Sequence, residues 1–267
     1  MKTRISFLCC VFCLYLTPNF GQNPEQVRYN EYAYMKVAPE KQEDYIKLEK
    51  AWKKLHMAKK KAGKLDAWSL TEVISPSGAD VKYNYVTRNS YLGETQFASS
   101  YDEAYMPENW QSLLTIDEID LVLRTDEIRT LVKNEIWVVN DQVWAEDYKE
   151  TTKIFVYNYF SIPKGKTNED HDKVEKEIWK PIHNARIKAG TMKGWVLQNM
   201  MLPFGASLPY SSLTLDGYTS MKQYLIQLDL ESIMKVHPGK DVNVLFKQTQ
   251  DACTLMRGEV RRIVDML

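Results

Sequence analysis

The chain repeats itself, and that constrains its fold more than any other feature. Trp52-Lys53-Lys54-Leu55-His56-Met57-Ala58-Lys59-Lys60-Lys61-Ala62-Gly63 returns as Trp179-Lys180-Pro181-Ile182-His183-Asn184-Ala185-Arg186-Ile187-Lys188-Ala189-Gly190, at an offset of 127 residues. Trp68 then matches Trp195, Leu70 matches Leu197, and Pro76-Ser77-Gly78-Ala79 matches Pro203-Phe204-Gly205-Ala206. Tyr83, Thr87 and Tyr91 match Tyr210, Thr214 and Tyr218. Upstream the offset is 125, pairing Tyr32 and Tyr34 with Tyr157 and Tyr159. Near the ends it is 124, pairing Thr130-Leu131, Glu135 and Asp141 with Thr254-Leu255, Glu259 and Asp265. Matches kept in order with small changes of offset mean one shared fold with short insertions.

Each copy reads alike. Residues 28–37 alternate and carry aromatics, as a strand does. Residues 40–62 place Tyr45, Leu48, Trp52, Leu55 and Ala62 on one helical face, with Gly63 where a C-terminal cap belongs. Strands follow at 65–74 and 81–91, then helical sequence over roughly 95–128 and a last strand at 130–139. The second copy runs through strands at 153–162, 192–201, 208–218 and 254–264, with helices over 168–189 and 219–252. The order is βαββαβ, the ferredoxin-like split unit. The expected fold class is therefore α+β, with two tandem ferredoxin-like units at 22–143 and 153–267 joined by a linker at 144–152. A four-stranded sheet with both helices on one side leaves its other face bare, which is an interface or a liability. The two copies are expected to pair within the chain as an intrachain α+β barrel pseudo-dimer.

Lys2, Arg4 and the apolar run Ile5–Leu16 predict a signal peptide over 1–21, cleaved after Gly21. Export to the periplasm or exterior follows. The whole chain has 35 basic and 35 acidic residues. Removing Lys2 and Arg4 leaves 33 basic residues against the same 35 acids, a balance that argues against nucleic-acid binding. Cys9, Cys10 and Cys13 leave with the leader, so Cys253 alone remains and no intrachain disulfide can form. No other apolar run approaches the length of an integral membrane segment.

The Trp-x-x-Leu/Ile-His-x-Ala-Lys/Arg-x-Lys-Ala-Gly helix end, the Trp after it and the Pro-x-Gly-Ala turn resemble the dimeric α+β barrel superfamily. More closely, they resemble exported tandem-repeat proteins of Bacteroidetes-type bacteria. The superfamily includes small monooxygenases, haem-degrading enzymes and binding proteins, so the resemblance implies a fold and does not choose a reaction.

Two sets of residues are candidates for a site. His56 and His183 occupy equivalent positions and either hydrogen-bond a neighbouring segment or serve haem or general-base chemistry. Tyr32, Tyr34, Tyr83, Tyr157, Tyr159 and Tyr210, from a chain with sixteen tyrosines, are expected in strands lining the bare sheet face, where they could hold a small apolar or aromatic ligand. The Cys and His spacings make no metal site, no glycine-rich phosphate loop appears, and no cofactor is expected. Two functions remain open. One is an exported protein that binds such a ligand or a protein partner. The other is a cofactor-independent oxygenase or haem-linked enzyme.

Overall fold

The computed structural model describes residues 27–267 apart from 79, 103–105 and 227–229. The expected leader and its cysteines lie outside the described residues. Alternating sequence forms β1 (Arg28–Lys36), and the amphipathic stretch after it forms α1 (Gln42–Lys61). In α1, Tyr45, Leu48, Ala51, Trp52 and Leu55 are buried against the sheet. Glu43 and Asp44 open the helix and Lys59, Lys60 and Lys61 close it, each sign facing the end of the dipole that favours it. Gly63 and Gly190 then take φ of 72° and 71°, left-handed values that glycine adopts without strain.

The first half continues with β2 (Ala67–Ser75), β3 (Tyr85–Leu92), α2 (Glu94–Asp102), α3 (Ile116–Leu123), α4 (Thr125–Ile128) and β4 (Thr130–Trp144). The short helix α5 (Tyr148–Thr151) leads into the second half. There β5 (Ile154–Ser161), α6 (Asn168–Val174), α7 (Lys180–Lys188), β6 (Gly194–Leu202), β7 (Ser212–Tyr218), α8 (Met221–Tyr224), α9 (Leu230–Val236), α10 (Val242–Ala252) and β8 (Thr254–Met266) follow. Between α6 and α7, Glu175–Trp179 is a π-helical turn closed by the Lys180 N–H on the Glu175 carbonyl. One extra residue in that turn aligns His171 with Tyr45 and Glu175 with Glu49 at an offset of 126, and Trp179 with Trp52 at 127. It accounts for half of the shift from 125 to 127.

The strands close one antiparallel barrel in the order β1-β3-β2-β8-β5-β7-β6-β4. Closure rests on two ladders between the halves. In one, β2 pairs with β8 from Ser69↔Met266 to Ser75↔Val260. In the other, β4 pairs with β6 from Ile136↔Leu202 to Trp144↔Gly194. This is why β4 and β8 run past the expected ends at 139 and 264. Their first residues pair within their own half and their later ones reach the other half. Trp144, expected in the linker, ends β4 and packs over Gly194, where an added Cβ would lie 1.9 Å from the indole.

Strands β3 and β7 start later than expected, at Tyr85 and Ser212, so Tyr83 and Tyr210 precede them rather than lie within them. In the first half the ladder becomes irregular at Asn84. Its side chain accepts from the Val37 N–H at 2.8 Å and donates to the Val37 carbonyl at 2.9 Å, while its own N–H donates to the Met35 carbonyl at 3.0 Å. Tyr85 and Tyr91 consequently face the helices, whereas Tyr83 turns inside.

Candidate functional site

The sheet separates the two sets of candidate residues. Tyr32, Tyr34, Tyr83, Tyr157, Tyr159 and Tyr210 all enter one cluster inside the barrel with Trp137, Val73, Val196 and Leu215. The hydroxyls of Tyr32, Tyr34, Tyr83, Tyr159 and Tyr210 are engaged with one another and with buried polar groups. Tyr34 and Tyr210 donate to Glu135 at 2.7 and 2.8 Å, and Tyr83 donates to Glu259 at 3.2 Å. Tyr34 and Tyr159 hydroxyls meet at 3.3 Å, Arg261 donates to Tyr159 at 2.7 Å, and Gln198 donates to Tyr32 at 3.1 Å. Burial pushes the hydroxyls of Tyr34, Tyr83, Tyr157, Tyr159 and Tyr210 upward, so they remain protonated.

His56 and His183 lie on the helix-covered face. His56 stacks on Trp68 at 5.5 Å and 23°, and His183 on Trp195 at 5.6 Å and 19°. The two tryptophans therefore stand in matching environments, each almost fully buried. Burial lowers both imidazoles to about 3, helped by Lys59 and Arg129 at His56 and by Arg186 at His183. Both rings are neutral at physiological pH. The residues do not fit a haem. Each imidazole is sandwiched between helix and sheet, and the cleft beside His56 holds about 200 Å³. Pockets for drug-sized ligands hold roughly 300–1,000 Å³, and a porphyrin is no smaller than such ligands. His237 donates through Nε2 to the Ile178 carbonyl at 2.9 Å.

That cleft opens between α1 and the strands β1, β3 and β4, and it contains residues that sequence reasoning did not select. Its lining includes Glu31, Trp52, His56, Trp68, Asn89 and Asn134. Glu31 accepts hydrogen bonds from Asn134 Nδ2 at 2.7 Å, the Tyr91 hydroxyl at 3.1 Å and Asn89 Nδ2 at 3.2 Å. Three donors fix one carboxylate at the cleft mouth. Lys59 lies one helical turn beyond His56 on α1. Burial pulls its ammonium down to about 8 against the opposing field of Glu31, with Lys64 adding to the fall. Burial and Glu31 push the Tyr101 hydroxyl up to about 12. Tyr101 meets Phe97 edge-on at 5.4 Å, and Phe97 stacks on Tyr29 at 4.6 Å and meets Tyr91 edge-on at 5.8 Å. At the inner end Arg129 donates to the buried Glu49 at 2.8 Å, and burial raises the Glu49 carboxyl. One signal for Glu31 was present: it interrupts the phase Tyr29, Ala33, Met35 of β1, which is otherwise apolar.

The second half does not reproduce this arrangement. The positions matching Glu31, Asn89 and Asn134 are Val156, Asp216 and Gly258. Its polar groups are sealed instead. His171, fully buried, has Nδ1 2.8 Å from Ser212 Oγ and Nε2 3.3 Å from Glu175. Burial opposes its charge, but Cys253 and Glu175 outweigh burial and raise the imidazole to about 9. Burial lifts the Asp216 carboxyl to about 7.

No protein-family model matches the chain, and no curated protein matches it in sequence. Solved structures do match. A protein from Fusobacterium nucleatum subsp. nucleatum, assigned provisionally as a monooxygenase, is 12% identical with a TM-score of 0.51 over 90% of this chain and 94% of its own. The chain has the dimeric α+β barrel fold. In this α+β barrel all eight strands come from one polypeptide. Another provisionally assigned monooxygenase, from Lactobacillus acidophilus, is 10% identical with a TM-score of 0.48 over 90% and 94% of the two chains. An anthrone oxidase-like protein is 12% identical with a TM-score of 0.49 over 91% and 93%. At such identity the likeness extends to the fold and stops there.

Proposed function

We propose that the protein is a cofactor-independent oxygenase acting on a one- or two-ring aromatic hydroxy compound bound in the cleft under α1. The observation that carries this reading is Glu31, held by three donors at the cleft, with Lys59 and Tyr101 both close enough to feel its charge. A lysine near 8 is partly neutral at physiological pH and can accept a phenolic proton. The electron-rich ring anion then reacts with O2. For 1-naphthol, ring carbon 4 becomes a carbonyl, one oxygen atom of O2 enters the quinone and the other leaves as water. The fold shared with the Fusobacterium protein, itself provisionally a monooxygenase, supports the enzyme reading over a passive ligand carrier. Tyr32, Tyr34, Tyr83, Tyr159 and Tyr210 inside the barrel support the same choice, because their hydroxyls are already engaged.

The test is oxygen uptake and quinone formation with 1-naphthol, read beside its fluorescence on binding. Lys59→Met is expected to lower the rate by roughly 10²–10⁴-fold, and Glu31→Gln to weaken binding. Absence of both binding and turnover in the wild-type protein would sink the proposal.

Two further readings belong here. The chain is proposed to be a duplicated ferredoxin-like unit, 22–143 and 153–267 about the connection 144–152, paired as a pseudo-dimer. The matching His–Trp stacks and the repeat offsets support it. Export, as in the Bacteroidetes-type proteins it resembles, is proposed from the leader. Mass spectrometry of the secreted protein should then find Gln22 as the first residue, and an intact Met1 would contradict it.

A further inference from the structure

We infer that the barrel interior is a binding site for one compact anion of the halide or short-chain carboxylate class, seated against Arg261. The inference begins with a charge that the pseudo-symmetry did not require. At the offset that relates Lys133 to Arg257 and Glu135 to Glu259, Arg261 stands where the first half has Trp137. The two side chains do the same work toward their carboxylates: Trp137 Nε1 donates to Glu135 at 3.3 Å, and Arg261 Nη2 donates to Glu259 at 2.9 Å. An aromatic ring would serve there, yet a guanidinium with no exposed side-chain surface occupies the place. Burying a charge is costly unless its hydrogen-bonding capacity is met.

That capacity is not met among the described residues. Arg261 stacks its guanidinium 3.8 Å from the Tyr157 ring centre and uses Nη2, but Nε and Nη1 have no partner. Nε of Arg257 and Nε of Arg88 are likewise buried without one. Arg88 shares the inner face of β3 with Val86 and acts on the Tyr157 hydroxyl as Arg261 does. Four cations, Arg88, Lys133, Arg257 and Arg261, therefore look inward, and the carboxylates that answer them are Glu135 and Glu259. Positive charge is in excess where donors are vacant, and an anion supplies both the charge and the acceptor. Two of the four cations reach solvent. Lys133 and Arg257 keep 29% and 34% of their side chains exposed, and both lie over the Tyr83 ring. The interior is packed with aromatic side chains, so the anion must be small.

The site is separate from the cleft under α1, and its test needs no turnover. Thermal unfolding of the full chain is followed while sodium bromide or sodium acetate replaces sodium gluconate at constant ionic strength. A saturable rise in Tm is expected, roughly 5–10 °C at a hundred-fold excess over Kd, with bromide and acetate separating the halide from the carboxylate source. Arg261→Met removes the rise. Crystals grown in bromide should show an anomalous peak within hydrogen-bond distance of Arg261 Nε or Nη1, and this result stands even where the variant does not fold. Equal Tm in bromide, acetate and gluconate, or water alone at those two nitrogens, overturns the inference.

Discussion

Replacing both stacked histidines with phenylalanine should remove much of the protein's acid sensitivity. His56 and His183 are held to about 3 in the folded chain, chiefly by burial, against an ordinary value of 6.5. The sign follows from proton counts. Between these values the unfolded chain binds a proton that the folded chain does not, so stability falls as pH falls below 6.5. At about pH 5 each histidine forfeits about 2 kcal/mol, and the pair about 4 kcal/mol. Phenylalanine keeps a flat ring against Trp68 and Trp195 and does not titrate. Asp216, raised to about 7, acts with the opposite sign, and His171, raised to about 9, loses its contribution only as pH rises. Both are present in wild type and variant alike and cancel in the difference. The assay is urea unfolding of wild type and of His56→Phe/His183→Phe at about pH 7.5 and about pH 5. Wild type should lose about 4 kcal/mol more than the variant across that interval. Parallel losses would refute the reasoning, since the histidines would then titrate alike in the folded and unfolded chains.

Gly194→Ala sets a methyl 1.9 Å from the Trp144 ring and should lower stability by about 1–3 kcal/mol; calorimetry showing an unchanged Tm would mean that the indole moves aside freely. Residues 22–150 expressed alone lose β8 from the edge of β2 and β6 from the edge of β4. Unpaired edges seek partners, so this segment should self-associate in sedimentation, and a stable monomer at high concentration would show that barrel closure is not what holds the first half.

Much of the fold was legible because its signals are local. The alternation of Tyr32 and Tyr34 with Glu31 and Ala33 settles which residues share a face before any partner strand is known. The Leu48, Trp52 and Leu55 stripe does the same for α1. The inward tyrosines were found for that reason, and so were the equivalent Trp68 and Trp195. Local signals misled at Tyr83, where the alternation continues but the Asn84 side chain, not a strand backbone, pairs with Val37. They were silent at the π-helical turn, where an inserted residue keeps Glu175 and Trp179 buried or half-buried on one helix.

The candidate cleft was hardly legible, because it is made by register. Glu31 and Asn134 are separated by 103 residues and meet at 2.7 Å because β1 and β4 pair in one alignment. Asn89 and Tyr91 reach the same carboxylate from β3, on the other side of β1. Nothing in the local sequence of β1 names those neighbours. The amino-acid sequence by itself determined the α+β class, the identity of most elements and the face most side chains occupy, since periodicity and turn chemistry act over a few residues. Only the tertiary structure decided that the histidines and tyrosines stand on opposite sides of one sheet, that Glu31 acts on Lys59 and that Arg261 lies inside the barrel. Those outcomes depend on closure through β2–β8 and β4–β6, which sets long-range register and with it the burial and electric field felt by each group.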